Sequence, residues 1–195
     1  MLGFRCKVNY PPTAKADAWA SKEMKAEIPY REAKEVADKL VILLSPHCFR
    51  IEIAGSIRRE KDIVGDVEIV CIPKPYQTGL FQDGIAEIVN QWQKVKGELE
   101  YGKTKYTQRI LPEGIKLDLF FAEEGNWGNI LLIRTGDWEF SKKFMGVLLP
   151  QNGYKQEDGF LKYSGKIIFC TEEKELFLRA GIKYIEPKNR NINAI

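Results

Sequence analysis

The chain has 195 residues but only one histidine, His47, and its four cysteines (Cys6, Cys48, Cys71 and Cys170) lie far apart with no C-x-x-C pair. A zinc site needs several nitrogen or sulfur donors at short spacing, so that chemistry is set aside. The cysteines read as reduced thiols of a cytoplasmic protein, and spacing alone does not join Cys48 to Cys71. No apolar run is long enough to span a membrane, and Met1-Leu2 lacks the basic-then-apolar order of a secretion signal. Repeats and low-complexity tracts are missing as well. Charge is nearly balanced, 30 Lys and Arg against 27 Asp and Glu for a net +3, which permits nucleic-acid binding without demanding it. From Ser141 onward the balance tips to ten basic against six acidic residues. An apolar share of 44% suits one compact unit, or a core domain with a small appendage.

What is present is concentrated in one stretch, Ile51-Glu-Ile-Ala-Gly55-Ser56-Ile-Arg58-Arg59 running on to Gly65-Asp66-Val-Glu68-Ile-Val70. An apolar strand enters a Gly-Ser turn, two arginines follow, and a second strand carries two acids. Side chains alternate along a strand, so Asp66 and Glu68 share a face while Val67 and Ile69 point to the core. Two carboxylates on one face repel unless a cation sits between them, and oxygen ligands favour a hard ion such as Mg²⁺. The Gly-Ser turn opening a short helix offers backbone N–H groups to a phosphate. A third acid, Asp118, stands in the apolar run Lys116-Leu-Asp-Leu-Phe-Phe121, where it is unfavourable unless paired or metal-bound. Each acid alone has a bland reading as a turn residue, an edge residue or half of an ion pair. All three, with Gly55, Ser56 and Arg59, point to phosphoryl or nucleotidyl transfer across two metal ions.

Periodicity predicts a helix over 30–44 with Ala33, Val36, Ala37, Leu40, Val41 and Leu44 inward, Pro29 in its first turn and Ser45-Pro46-His47 at its end. Strands are expected over 49–54 and 66–72, a loop over 73–79, and a helix over 80–92. Further strands are expected over 95–101, 106–111 and 115–122, the last two joined by Pro112-Glu113-Gly114. Helices follow over 126–134 and 138–149, with Thr135-Gly136 between them. After Gln151-Asn152-Gly153 come hairpin segments over 154–169 and a helix capped by Thr171, with Glu172 and Glu173 at its positive start and Gly181 just past its end. Residues 1–25 read as an irregular arm and a short helix. Trp92 and Trp127 read as core. Lys94, Lys96, Lys103 and Lys105 read as either a solvated face or a phosphate track.

In this order the motifs resemble family X DNA polymerases, the DNA polymerase beta group, over roughly residues 28–190. The matching residues are Ile28-Pro29, Gly55-Ser56-x-Arg58-Arg59, Gly65-Asp66-x-Glu68, Leu117-Asp118-Leu119, Thr135-Gly136, and Thr171-Glu172-Glu173 with Gly181 and Pro187. The first acid block also fits the wider nucleotidyltransferase superfamily; the Thr-Gly junction and the Thr-Glu-Glu ending are the more specific. The size is similar to the small viral members. The resemblance implies an α+β fold: an arm over 1–27, a nucleotidyltransferase palm over 28–136 with a mixed sheet and helices on one face, and a thumb-like domain over 137–195.

It also implies roles. Asp66, Glu68 and Asp118 would bind two Mg²⁺ ions, with Mn²⁺ as the alternative, and Asp118 would activate a primer 3′-hydroxyl. Gly55, Ser56, Arg59 and Gly65 would hold the triphosphate, the arginine through its fixed charge and planar fork. Thr135 and Gly136 would turn beneath the incoming sugar, Trp138 and Ser141 would face the nascent base pair, and Lys142 and Lys143 would meet template backbone. The implied protein is a monomeric, cytoplasmic (or nuclear or virus-associated) gap-filling DNA polymerase acting on dNTP and primer-template DNA, with no membrane partner. Three departures stand out. Glu68 replaces the usual Asp, Ile133-Arg134 replaces the aromatic pair that screens the sugar, and Glu27 replaces a basic residue. Two other readings stay open: an untemplated transferase acting on RNA or protein, and a non-catalytic nucleic-acid-binding module.

Overall fold

Alanine and leucine at three- and four-residue intervals give the first long helix one apolar stripe. The computed structural model describes residues 26–74, 84–97, 99 and 105–195. In it, α1 spans Tyr30–Leu44 and buries Ala33, Ala37, Leu40 and Leu44. Lys34 and Asp38, one turn apart, pair on its outer side. Pro29 is not in the first turn as expected: it is the extended residue before the helix, in the two-residue strand β1 (Ile28–Pro29). That strand pairs antiparallel with β3 (Ile63–Val64). A proline with no N–H to give serves there equally well.

The central sheet has five strands, β2 (Cys48–Ile53), β4 (Val67–Pro73), β5 (Gln93–Lys96), β6 (Tyr106–Ile110) and β7 (Lys116–Phe121), in the order β2-β4-β7-β6-β5. Only β4 and β7 run parallel; the remaining pairs are antiparallel, so the sheet is mixed. Alternation sends Val67, Ile69, Cys71, Leu117 and Leu119 into one core with α1 and with Ile85 and Val89 of α3 (Ile85–Val89). The opposite face carries Val70 and Phe120, covered by Trp127 and Leu131 of α4 (Trp127–Thr135). Trp127 is buried as expected, with the Arg50 guanidinium over its ring. The helix α2 (Gly55–Arg58) turns between β2 and β3.

Leu132 of α4 faces a second core, built with Phe140, Phe144, Leu149, Leu161, Leu176 and Phe177. The helix expected over 138–149 is three pieces: α5 (Trp138–Lys143), a π-helical segment (Phe144–Leu148) and α6 (Leu149–Gln151). Pro150 lacks an N–H and its ring crowds the carbonyl a turn earlier, and a widened turn relieves that crowding. An antiparallel meander follows, β8 (Tyr154–Glu157), β9 (Phe160–Tyr163) and β10 (Lys166–Ile168), then α7 (Glu173–Arg179). Gly181 sits just past α7 at φ +72°, as the sequence suggested. The cap of α7 is Glu172 rather than Thr171; Glu172 and Glu175 each bond the other's backbone, and the Thr171 hydroxyl donates to Glu175.

Contacts between the two cores are specific. A side chain at Gly128 would lie 2.4 Å from the Glu172 carbonyl carbon, so only glycine lets α4 approach the start of α7 so closely. Arg50 bonds Thr171 O and pairs with Glu172. Glu173 does more than complement a helix start. It is buried between Arg58, at 2.8 Å, and Arg190. Among the described residues no helix is long and apolar enough to cross a membrane. The expected arm and helix of residues 1–25, the loop and helix start over 75–83, and the end of the strand over 95–101 with Lys103 lie largely or wholly outside the described residues.

Candidate functional site

Strand register decides which polar side chains meet. Glu68 on β4 stands opposite Asp118 on β7, and Asp118 stands opposite Gln108 on β6. One rung of the sheet thus carries Glu68, Asp118 and Gln108, with neighbouring strands about 4.8 Å apart. The next rung carries Val70, Phe120 and Tyr106. Asp66 precedes β4. Both Tyr106 Oη, at 3.0 Å, and Gln108 Nε2, at 2.6 Å, donate to Asp118 Oδ1. The Tyr106 ring stacks on Phe120 with 4.9 Å between centroids, and the Arg134 guanidinium lies 4.0 Å above Phe120.

The electrostatics follow from this crowding. Burial, then the charges of Asp66 and Asp118, push the Glu68 carboxyl up to about 8, against the opposing pull of Arg59 and Arg134. Burial and the Asp118 charge push the Tyr106 phenol well above its ordinary value, so it remains a donor at any working pH. Burial draws Arg134 below its usual value while Glu68 and Asp118 oppose the shift. Arg59 behaves likewise, with Glu68, Asp137 and Asp66 opposing.

The Gly-Ser turn abuts the rung. Gly55 has φ +61°, and a Cβ there would lie 1.8 Å from Glu68 Oε2. Glycine is therefore needed twice, for its backbone angle and to let the carboxylate rest against the turn. Ser56 Oγ and Arg59 Nε are buried without a hydrogen-bond partner. Arg59 donates to Thr135 O at 2.7 Å, while Arg58 donates to Thr135 Oγ1 and, twice, to Glu173. Both arginines thereby tie the turn of α2 to the Thr135-Gly136 junction.

The expected site residues divide accordingly. Gly55, Ser56, Arg59, Gly65, Asp66, Glu68 and Asp118 gather at one end of the sheet, with Thr135 and Gly136 joined to them through the arginines. Trp138 is 72% exposed, with the Lys142 ammonium 4.6 Å from its ring centre. Ser141 is buried, and its hydroxyl donates to Ile133 O. Lys143 donates to the main-chain oxygen of Ile195. Ser141 thus lies against the Thr135-Gly136 junction, and Lys143 reaches the C-terminal residue.

Neither a family model nor a curated protein matches the sequence. Among solved structures, the polymerase beta of Leishmania infantum, in a ternary P/T complex, superposes with a TM-score of 0.63. The alignment covers 85% of this chain and 77% of that one at 18% identity. The chain has a polymerase beta-like fold.

Within this polymerase beta-like fold, no three His, Cys, Asp or Glu side chains form a ready metal group among the described residues. The donor chemistry nevertheless suits a hard divalent cation. Burial first, and then the charges of Asp66 and Asp118, raise the Glu68 carboxyl, and carboxylate oxygens are the donors such an ion takes. The residues that sequence reasoning missed are Tyr106 and Gln108. The available signal was a polar Gln two residues from a Tyr in a strand whose alternation puts both on the acid's face.

Proposed function

We propose that the chain is a template-directed DNA polymerase of the gap-filling type, transferring a nucleotidyl group from a dNTP to a primer 3′-hydroxyl with release of pyrophosphate. The observation that carries the reading is the rung of Glu68 and Asp118 beside the Gly55-Ser56 turn, with Asp66 and Arg59 electrostatically coupled to it. Asp66, Glu68 and Asp118 would hold Mg²⁺, which in such reactions stabilises the attacking and leaving oxygens of an in-line displacement. Ser56 Oγ and Arg59 Nε, buried and unpartnered, are suited to phosphate oxygens. Asp118 would take the proton of the attacking hydroxyl, and Tyr106 and Gln108 donate to its Oδ1. Exposed Trp138 offers a flat apolar face for a base, and Lys142 beside it a positive charge for DNA backbone.

Extension of a labelled primer across a one-nucleotide gap, with Mg²⁺ and each dNTP separately, tests this. Incorporation should follow the template base and vanish in Asp118→Ala with the fold intact. Incorporation equal for all template bases would refute templating. One observation favours that second reading, an untemplated transferase with ribonucleotide use: the residue before Thr135-Gly136 is a guanidinium on Phe120, not an aromatic screen beneath the sugar.

A further inference from the structure

We propose that Tyr106 and Gln108 are positioning residues that fix the Asp118 carboxylate for one-oxygen coordination of a divalent ion through Oδ2. The inference rests on the reading of Asp118 as a metal ligand given above. Its own basis is the pattern of donors. Two side chains from the neighbouring strand, one in the same rung and one in the next, converge on the same oxygen, Oδ1. A carboxylate oxygen has two lone pairs, and both are spent there. Oδ2 has no donor among the described residues and is the oxygen left for a cation.

The donors are themselves held. The Tyr106 ring is stacked on Phe120, at 22° between planes, and the Arg134 guanidinium also lies over the Phe120 ring. Gln108 is 8% exposed, and its amide orientation is dictated by chemistry, because a carboxylate only accepts. That orientation leaves Gln108 Oε1 buried without a partner, an unfavourable arrangement that an apolar residue in β6 would avoid. Its presence opposite Asp118 is explained if the amide serves the carboxylate. Mg²⁺ demands near-ideal ligand geometry, and groups that orient metal ligands typically change metal affinity or activity by about 10- to 100-fold when removed.

The test is Mn²⁺ affinity, followed by the EPR signal of free Mn²⁺, in the parent, Asp118→Asn, Tyr106→Phe, Gln108→Leu, and each of the last two combined with Asp118→Asn. Tyr106→Phe keeps the stacked ring and removes only the hydroxyl, so it remains informative if Gln108→Leu fails to fold. Each single donor variant should weaken Mn²⁺ binding by about 10-fold or more. Primer extension should show lower kcat at unchanged KM for dNTP, and neither donor variant should weaken Mn²⁺ binding further in the Asp118→Asn background. If Asp118→Asn binds Mn²⁺ like the parent, the ligand reading fails and this one falls with it. If Asp118→Asn weakens binding while Tyr106→Phe and a folded Gln108→Leu stay within twofold of the parent, the positioning role alone is refuted.

Discussion

Replacing Glu173 by glutamine keeps its volume but removes its charge and turns one acceptor oxygen into an NH2 donor, which makes it a probe of the ion network joining the two cores. Glu173 is 5% exposed and Arg190 fully buried, with Arg58 at 18%. The carboxylate accepts from both guanidinium groups. Without it, Arg190 keeps Ile185 O and the Tyr184 hydroxyl, but two guanidinium groups then face each other across a neutral amide. Breaking a buried pair by removing one partner costs about 3–5 kcal/mol. Lost packing is negligible for this isosteric change, so the lost charge and the lost acceptor oxygen decide the outcome. Against a typical total of about 5–15 kcal/mol, the loss is large. Urea unfolding at pH 7 should show a midpoint lowered by that loss divided by the slope, with the slope unchanged. Acid supplies a second check. Burial alone would raise the Glu173 carboxyl, but the hydrogen bonds and charges of Arg58 and Arg190 outweigh it and hold the group below its ordinary 4.5. A lowered carboxyl stabilises the fold above the unfolded value and loses that contribution as pH falls through the folded one. The gap between parent and Glu173→Gln should therefore close on acidification. A variant within about 1 kcal/mol of the parent at pH 7 would refute the reasoning.

Glu68 has the opposite sign: with its folded value raised to about 8 from 4.5, metal-free stability should fall as pH rises between those values. Thermal melts of Glu68→Gln should lack that slope, and Mg²⁺ should raise the parent's Tm more at pH 8 than at pH 5. Gly55→Ala should cost about 1 kcal/mol of stability for its positive φ, yet lower primer extension at least tenfold by driving the Glu68 carboxylate from its place; a folded variant that extends the primer about as fast as the parent would count against this. Arg134→Tyr should raise discrimination against ribonucleotides in single-nucleotide insertion, and strong discrimination already present in the parent would oppose the sugar argument.

Much of the site was readable because its signals are local. The alternation over 66–70 put the acids on one face, and the single Asp in an apolar strand marked β7. What escaped was non-local. Glu173 has the local spacing of a residue at a helix start, and nothing nearby in sequence announces that Arg58, 115 residues away, will meet it. Thr171 has the residue type of a cap, yet Glu172 takes that place, and Arg50, from β2, pairs with it. The partners of Ser141 and Lys143, Ile133 O and Ile195 O, are likewise set by packing around α5 rather than by local sequence. Register across β6 and β7, which no single strand encodes, brought Tyr106 and Gln108 to Asp118.

Helix α4 gives Trp127 and Leu131 to one apolar cluster and Leu132 to another, while Thr135 at its end is held by both arginines of the α2 segment. Each cluster would lose α4 side chains on its removal, so melting one should expose the shared helix and withdraw support from the other. The expected behaviour is a single cooperative transition, with the α4 amides among the slowest to exchange with deuterium. Fragments separated at Gly136 should lose stability on both sides of the cut.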